Sequence, residues 1–401
     1  MFLKSLIQRN PAFLQKAVEL HQTNQIPPNS YVLDLDTIKA NAAWITNKAA
    51  SLGLKVFAMT KQIGRNPEVL KVLTEVGVNG YVAVDMACAH PIHYHGHAIG
   101  HLGHLVQIPR AEALAAAKMK PAYWTVFSMH KAREAAAASL AEGHTQALLA
   151  RIHAPGDTFY SGHEGGFQAE EITAIADQLN HLSGAAFAGI TTFPALLFDL
   201  EKQEIVPTPN LRTLEISRQL LAKAGCDSIE INAPGTTSSV VLEYLANAGA
   251  TQVEPGHGLT GTTPLHAVRE LPENPAMLYL SEVSHFYHGN PYCFGGGLYV
   301  DPVFPAYDIQ ALVGSDPDLI LKNIVSCQIP PAEAIDYYGI LREESTRPIH
   351  AGDTVIFGFR AQAFVTRAFM VPVSGIHAGM PKVEGIWTTD GRSVSWPEWK
   401  Y

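Results

Sequence analysis

Beyond the first thirty residues, short apolar runs alternate with longer segments in which apolar positions recur every three or four residues. The short runs are LKVFAM (54–59), GYVAV (80–84), HLVQI (104–108), YWTVF (123–127), ALLARI (147–152), FAGITTF (187–193), SIEIN (228–232) and TQVEP (251–255). Their length and their β-branched or aromatic content predict buried strands. Between them, NPEVLKVLTEVG, SMHKAREAAAASLAEG, AEEITAIADQLNHL and NLRTLEISRQLLAKAG carry helical spacing, and Gly closes several. Strand then helix, repeated, predicts a parallel sheet. Eight such units in about 220 residues predict an α/β fold of the (β/α)8 barrel type, with a doubly wound open sheet as the alternative.

From residue 266 the pattern changes. MLYLSEVSHFY, PYCFGGGLYVD, DTVIFGF, FVTRAFMVPV and GIWTTDGRSVSW alternate with period two and carry turn residues. They predict an antiparallel β domain C-terminal to the barrel. The strand YVLDLD (31–36) precedes the first barrel helix and is placed with that domain. The expected division is a barrel at 36–265 and a β domain built from 1–35 and 266–401. Internal repeats and low-complexity linkers are absent.

Composition narrows the function. Of 401 residues, 47% are hydrophobic and 16% charged, which predicts a large core and excludes disorder. The net charge of −9 comes without any Lys/Arg run, which argues against nucleic acid or an anionic membrane as partner. The four cysteines form no CxxC pair, which fits the reducing cytoplasm. The N-terminus, MFLKSLIQRNPAFLQKAVEL, has neither the apolar core of a signal peptide nor the length of a membrane span.

Lys61 follows the first predicted barrel strand, at the end where barrels of this kind carry their chemistry. A lysine walled by Val56, Phe57 and Met59 has its pKa lowered by desolvation, which suits it to a Schiff base. The plainer reading is a lysine that opens a loop and reaches water. Two loops bear on the choice. APGTTSS (233–239) follows the seventh strand and PGHGLTGTT (255–263) follows the eighth. Gly-, Ser- and Thr-rich loops at those strand ends bind phosphate through backbone N–H groups, and the first leads into a helix. A lysine with two such loops matches a cofactor bearing an aldehyde and a phosphate: pyridoxal 5'-phosphate.

With these residues the chain resembles the fold-type III pyridoxal-phosphate enzymes: alanine racemase, the D-serine dehydratase/D-threonine aldolase group, and the ornithine and diaminopimelate decarboxylases. YVLDLDTIKANAAWI looks like the opening strand and helix of that family, and FAMTKQIGRNPEVLKVLTEVGVNGYVAVD like its lysine strand and the unit after it. The resemblance implies that Lys61 holds the cofactor, that Gly235, Thr236, Thr237, Gly256, His257 and Gly258 lie in its phosphate loops, and that the protein is a homodimer with shared active sites.

The family sets a polar residue against the pyridine nitrogen, just before a Pro-Gly. Racemases place Arg there and decarboxylases Glu; here VEPGHG puts Glu254 in the position. A carboxylate keeps the ring nitrogen protonated and makes the cofactor a stronger electron sink. The plainer reading of Glu254 is a helix cap. Arg151 resembles the arginine of the decarboxylases' fifth strand. Glu164 lies near where the family places a later Lys or Arg. Phe193 takes the place of a ring-stacking His. For the second acid/base, GNPYCFG (289–295) puts Phe294 where racemases carry a tyrosine, with Tyr292 and Cys293 just before it. Decarboxylases bring a cysteine from the β domain, so Cys293 is a candidate as well as Tyr292. The plainer reading makes all three packing residues of the sheet. The His-x-Cys zinc pair of the D-serine dehydratase group is replaced by Gln362 and Phe364 in RAQAFVT, so no zinc is expected there.

HPIHYHGHAIGHLGH (90–104) holds six histidines, with His93/His97 and His97/His101 at the i,i+4 spacing of helical metal ligands. Without a nearby Glu or Cys, a surface cluster with no bound metal is expected. His104 is expected to begin the third strand, at the end of the barrel away from the chemistry. Asp85 is either a partner for Lys61 or a helix N-cap. The leading expectation is an amino-acid racemase working at the Cα of a free amino acid. The alternatives are a pyridoxal-phosphate decarboxylase, a lyase or aldolase, a non-catalytic protein that stores or delivers the cofactor, and a cofactor-free Schiff-base aldolase.

Overall fold

The computed structural model describes residues 2–299, 307–342 and 345–398. The chain packs as two compact units. One comprises Met1–Ala42, Lys61–Val72 and Leu259–Tyr401; the other comprises Ala43–Thr60 and Leu73–Gly258.

The second unit is built on a closed parallel barrel. Its eight strands are Lys55–Met59, Gly80–Ala83, Ile99–Leu102, Tyr123–Val126, Gln146–His153, Ala185–Thr191, Glu230–Asn232 and Gln252–Val253. Each pairs with the next, and Val253 pairs with Val56 to close the ring. Helices alternate with the strands along the chain, as the periodicity predicts. Asp85 caps the helix Met86–Tyr94, its carboxylate accepting from the Cys88 amide at 2.8 Å. At the N-terminal end of the barrel, Glu230 is held by Lys55, by the Tyr123 hydroxyl at 2.8 Å and by the Thr251 hydroxyl at 2.6 Å. That polar cluster fills the end of the barrel where its strands begin.

The third strand differs from expectation. It is Ile99–Leu102, not 104–108. The run Leu105–Val106 attracted the prediction, but Val106 is half exposed and Pro109 ends the segment. The true strand, IGHL, is buried throughout, although Gly and His interrupt its apolar pattern. His104 therefore lies beyond the C-terminal end of its strand, the opposite end from the one predicted.

In the first unit, six antiparallel strands close a second barrel: Met277–Tyr287, Asn290–Phe294, Tyr338–Leu341, Ile324–Gln328, Gln310–Gly314 and Thr354–Phe357. Ser30–Asp34 adds to this sheet, antiparallel to Met277–Tyr287 and parallel to Phe369–Ser374. The predicted strand 31–36 thus ends two residues early. Asp34 caps the helix Leu35–Ser51 by accepting from the Thr37 amide at 3.1 Å. The helices Leu3–Arg9 and Pro11–Gln22 bury Leu6, Phe13, Leu14 and Val18 against Val32, Leu278, Leu280, Ile356 and Val371. The strands at 310–314, 324–328 and 338–341 escaped the sequence reading, being short and partly exposed. Val300 and Asp301, the tail of the predicted PYCFGGGLYVD run, lie outside the described residues. Among the described residues, no helix is long and apolar enough to cross a membrane.

Candidate active site

The strand Lys55–Met59 ends beside the residue after Glu254: the Met59 amide donates to the Pro255 carbonyl at 2.9 Å. The Thr60 hydroxyl donates to the Val82 carbonyl of the neighbouring strand at 3.2 Å. Lys61 comes next and opens the short turn Lys61–Ile63. Its Nζ lies 5.6 Å from the centre of the Phe364 ring, which also takes the Arg65 guanidinium at 5.8 Å. Phe364 sits in the turn Ala363–Val365, directly after Gln362.

Barrel interiors of this type are filled mainly by branched apolar side chains. Here a chain of polar groups runs through the interior. Thr125 meets His101 Nε2, and His101 Nδ1 bonds Glu254 Oε1. Asn232 Nδ2 donates to the same oxygen at 2.9 Å, and the Thr191 hydroxyl donates to Asn232 Oδ1 at 2.7 Å. His104 Nδ1 stands 3.4 Å from the other carboxylate oxygen, Oε2, which has no hydrogen-bond partner among the described residues. Donor atoms of His101, His104 and Glu254 lie within 4.8 Å of one another. Burial pushes the Glu254 pKa up, but His104, His101 and the bonds from His101 and Asn232 outweigh it. The net effect brings it down to about 2.

The histidine-rich stretch is therefore not one surface cluster. His90 and His93 are exposed and His95 and His97 half-buried, while His101 and His104 are 0% and 1% exposed. The helix ends at Tyr94, so His97 is not on a helix and the i,i+4 pairs do not form. His97 instead meets the Tyr81 ring edge-on at 5.4 Å. His104 packs edge-on against His101 at 5.2 Å and against Phe193 at 5.4 Å. Phe193 also contacts the rings of Tyr160 at 5.8 Å and His163 at 6.2 Å.

Arg151 is 1% exposed. Its guanidinium stacks over Phe127 at 4.7 Å and Phe159 at 5.9 Å and donates from Nη2 to the His163 carbonyl at 2.5 Å. Among the described residues its Nε and Nη1 have no hydrogen-bond partner. Burial lowers the Arg151 pKa to about 10, partly offset by the charge of Glu164. A buried cation with two unanswered nitrogens is costly until an anion reaches it.

The two glycine-rich loops meet. A Cβ on Gly258 would lie 2.5 Å from the Thr237 carbonyl oxygen, so only glycine allows the approach. Gly235 has a different task. The hairpin Leu196–Asp199 and Glu204–Pro207 presses on it, and a Cβ there would lie 2.7 Å from the Leu196 nitrogen. The Thr236 amide is spent on the Leu196 carbonyl at 3.2 Å. Thr237 is buried and bonds the Gly235 carbonyl at 3.2 Å; Gly256 and His257 are buried as well. The buried hydroxyl of Ser238 has no hydrogen-bond partner among the described residues. Sequence reading passed over Ser238, although a serine just before a helical turn is a capping signal.

Tyr292 and Cys293 alternate across the strand Asn290–Phe294 of the β unit. Tyr292 is half-buried and stacks on His285, with ring centres 4.8 Å apart and planes 21° apart. Cys293 is fully buried. Both its sulfur and that of Cys327 adjoin Gly339, where an added Cβ would lie 3.1 Å and 3.2 Å from them. The Cys293 bond and burial hold the Cys327 thiol well above its usual pKa. Phe294 packs on Tyr338 at 5.9 Å.

A closed parallel barrel with a lysine just past its first strand, followed by an antiparallel β domain, defines the alanine-racemase-like fold. The chain belongs to the alanine racemase N-terminal domain family, whose profile matches residues 33–264. Residues 278–383 match the YhfX-like C-terminal domain. The chain is 38% identical over 396 residues to "Uncharacterized protein YhfX" of Escherichia coli (strain K12), covering 98% of this chain and 100% of that one. Among solved structures it is similar to D-threonine aldolase from Filomicrobium marinum, with TM-score 0.67, 16% identity and 91% and 96% of the two chains covered. It is also similar to alanine racemase of Clostridium difficile 630 in complex with cycloserine, with TM-score 0.63, 16% identity and coverages of 91% and 99%. D-threo-3-hydroxyaspartate dehydratase from Delftia sp. HT23 gives TM-score 0.64 at 14% identity, with 91% and 97% covered. At these identities the likeness is one of fold.

Proposed function

We propose that the protein is a pyridoxal-phosphate enzyme acting at the Cα of a free amino acid, and that it racemises its substrate. The observation that carries this is the place of Lys61. It follows the C-terminal end of the first strand of a closed parallel barrel, and that strand end is hydrogen-bonded beside Glu254. The barrel residues fit the cofactor on independent grounds. The free N–H groups of Arg151 await an anionic oxygen, Glu254 Oε2 awaits a donor, and the Ser238 hydroxyl awaits a partner beside the meeting of the two loops.

When bound, pyridoxal phosphate supplies a ring that withdraws electrons from the bonds at the substrate Cα. Lys61 would hold it through Nζ, and the same amine would move one Cα proton. Tyr292 from a second copy serves the opposite face through its hydroxyl. Glu254 accepts the ring N–H, Arg151 holds the anionic ring oxygen, and Phe193 covers the ring. Thr237, Ser238 and the backbone of Gly256, His257 and Gly258 hold the phosphate. Gly235 shapes the loop from behind. Decarboxylation is the second reading, favoured by the carboxylate at Glu254. The burial of Cys293 inside its own barrel counts against it.

The test is direct. The protein is loaded with pyridoxal phosphate, its visible spectrum recorded, and amino acids of both configurations supplied in D2O. Deuterium should enter Cα without loss of CO2. Lys61→Ala should lose the visible band; if it keeps the band, the lysine is misassigned. Release of CO2 would make the protein a decarboxylase.

A further inference from the structure

We propose that His101 and His104 are positioning residues that hold Glu254 with one oxygen sealed and the other presented, so that the site selects a cofactor ring carrying a proton on its nitrogen. The proposal rests on the reading of Glu254 as the partner of that nitrogen.

The two carboxylate oxygens are treated differently. Oε1 receives His101 Nδ1 and Asn232 Nδ2, which fills both of its in-plane acceptor positions. Neither donor can turn away. The His101 ring is fully buried and its far nitrogen meets the Thr125 hydroxyl. Asn232 is held by Thr191 and by Gln252 at 3.3 Å. The carboxylate can only accept, so His101 carries a hydrogen on Nδ1, while its Nε2 is bonded to the Thr125 hydroxyl.

Oε2 is the remainder. It is buried without a hydrogen bond and faces His104 Nδ1 at 3.4 Å. His104 is wedged edge-on between the His101 and Phe193 rings, which fixes the place of its Nδ1 beside Oε2. A buried carboxylate oxygen in this state is completed best by a positively charged N–H. A protonated pyridine nitrogen has that form, and an unprotonated one would set lone pair against lone pair. The mutual spacing of 4.8 Å would also admit a divalent cation. The direct His101–Glu254 bond favours the proton network, because a cation would have to break it.

Affinities are measured for pyridoxal phosphate and for its 1-deaza analogue, in which C–H replaces the ring nitrogen. The proteins are wild type, Glu254→Gln, His101→Leu, His101→Asn and His104→Phe. The wild type should prefer pyridoxal phosphate by about tenfold or more, the scale of one charge-assisted hydrogen bond. Glu254→Gln should abolish the preference and His101→Leu should reduce it. His101→Asn, whose amide nitrogen replaces Nδ1, should restore much of it. The 15N resonance of ring-labelled cofactor should report a protonated nitrogen in the wild type and a less protonated one in His101→Leu. If Glu254→Gln loses the preference while the His101 and His104 variants keep both it and the resonance position, the histidines only fill space and the proposal fails. A wild type that binds both ligands equally overturns the reading of Glu254, and this proposal with it. Stoichiometric Co2+ binding with visible d–d bands that vanish in His101→Leu would make the cluster a metal centre instead. Should His101→Leu not fold, histidine 15N spectra of the wild type decide: a hydrogen on His101 Nε2 with a bare Nδ1 overturns the proposal.

Discussion

Gly258 and Thr237, on loops that follow different barrel strands, approach so closely that a Cβ at Gly258 would stand 2.5 Å from the Thr237 carbonyl oxygen. The contact is to backbone, which cannot swing aside as a side chain can. Gly258→Ala should therefore push the loops apart. We expect a stability loss of roughly 1–3 kcal/mol, the usual cost of overpacking. Affinity for pyridoxal phosphate should fall with it. Thermal denaturation and a cofactor titration check the two effects.

Arg151 predicts a trade between stability and binding. Its side chain is buried with Nε and Nη1 unanswered. Arg151→Met keeps most of the volume between Phe127 and Phe159 and removes the charge. Without ligand, the variant should be as stable as the wild type or more so, as buried charges replaced by apolar groups often are. Its cofactor affinity should drop by about tenfold or more. Melting curves with and without pyridoxal phosphate measure both. A variant that binds as tightly as the wild type removes Arg151 from the site.

Tyr292 and Cys293 are neighbours in sequence with opposite expectations. Tyr292→Phe should slow Cα deuterium exchange by about 10²–10⁴-fold, the range of a lost general acid or base. The loss should fall chiefly on one enantiomer, because Lys61 still serves the other face. Cys293→Ala should leave exchange intact, since its sulfur lies inside its own barrel beside Cys327. Exchange followed by proton NMR with each enantiomer separates the two.

Glu254 predicts an acid limb. Its pKa in the folded protein is lowered from 4.5 to about 2, so unfolding raises it and the unfolded chain binds the extra proton. Its stabilising contribution is complete above pH about 4.5 and fades as pH falls through about 2. The stability difference between wild type and Glu254→Gln should be constant above pH about 5 and shrink steadily below it. Urea unfolding at a series of pH values checks this. A difference that stays level down to pH about 3 would show that the carboxylate is not held ionised.

Strand and helix periodicity was enough to read the barrel, because parallel strands buried on both faces leave apolar runs that a single sequence displays. Lys61, Glu254 and the paired loops were legible for a related reason: each stands at a strand end, and strand ends can be counted. The antiparallel barrel was read only in part. The strands Gln310–Gly314, Ile324–Gln328 and Tyr338–Leu341 are short and partly exposed, so their apolar runs are too brief to stand out.

Which way a side chain faces was decided by the fold. Tyr292 and Cys293 were interchangeable candidates until the strand turned one to the surface side and the other to the interior. His101 read as part of a surface cluster and His104 as the start of a strand, because the apolar pattern does not show that the strand begins at Ile99. Gly235 and Gly258 looked alike in sequence, yet one yields to a hairpin and the other to a facing loop. By itself the chain determined its barrel and the strand-end positions of Lys61 and Glu254, since these follow from local pattern and position along the strand order. The tertiary structure alone brought His101 against Glu254, 153 residues away, because a closed barrel makes neighbours of groups that no local pattern connects.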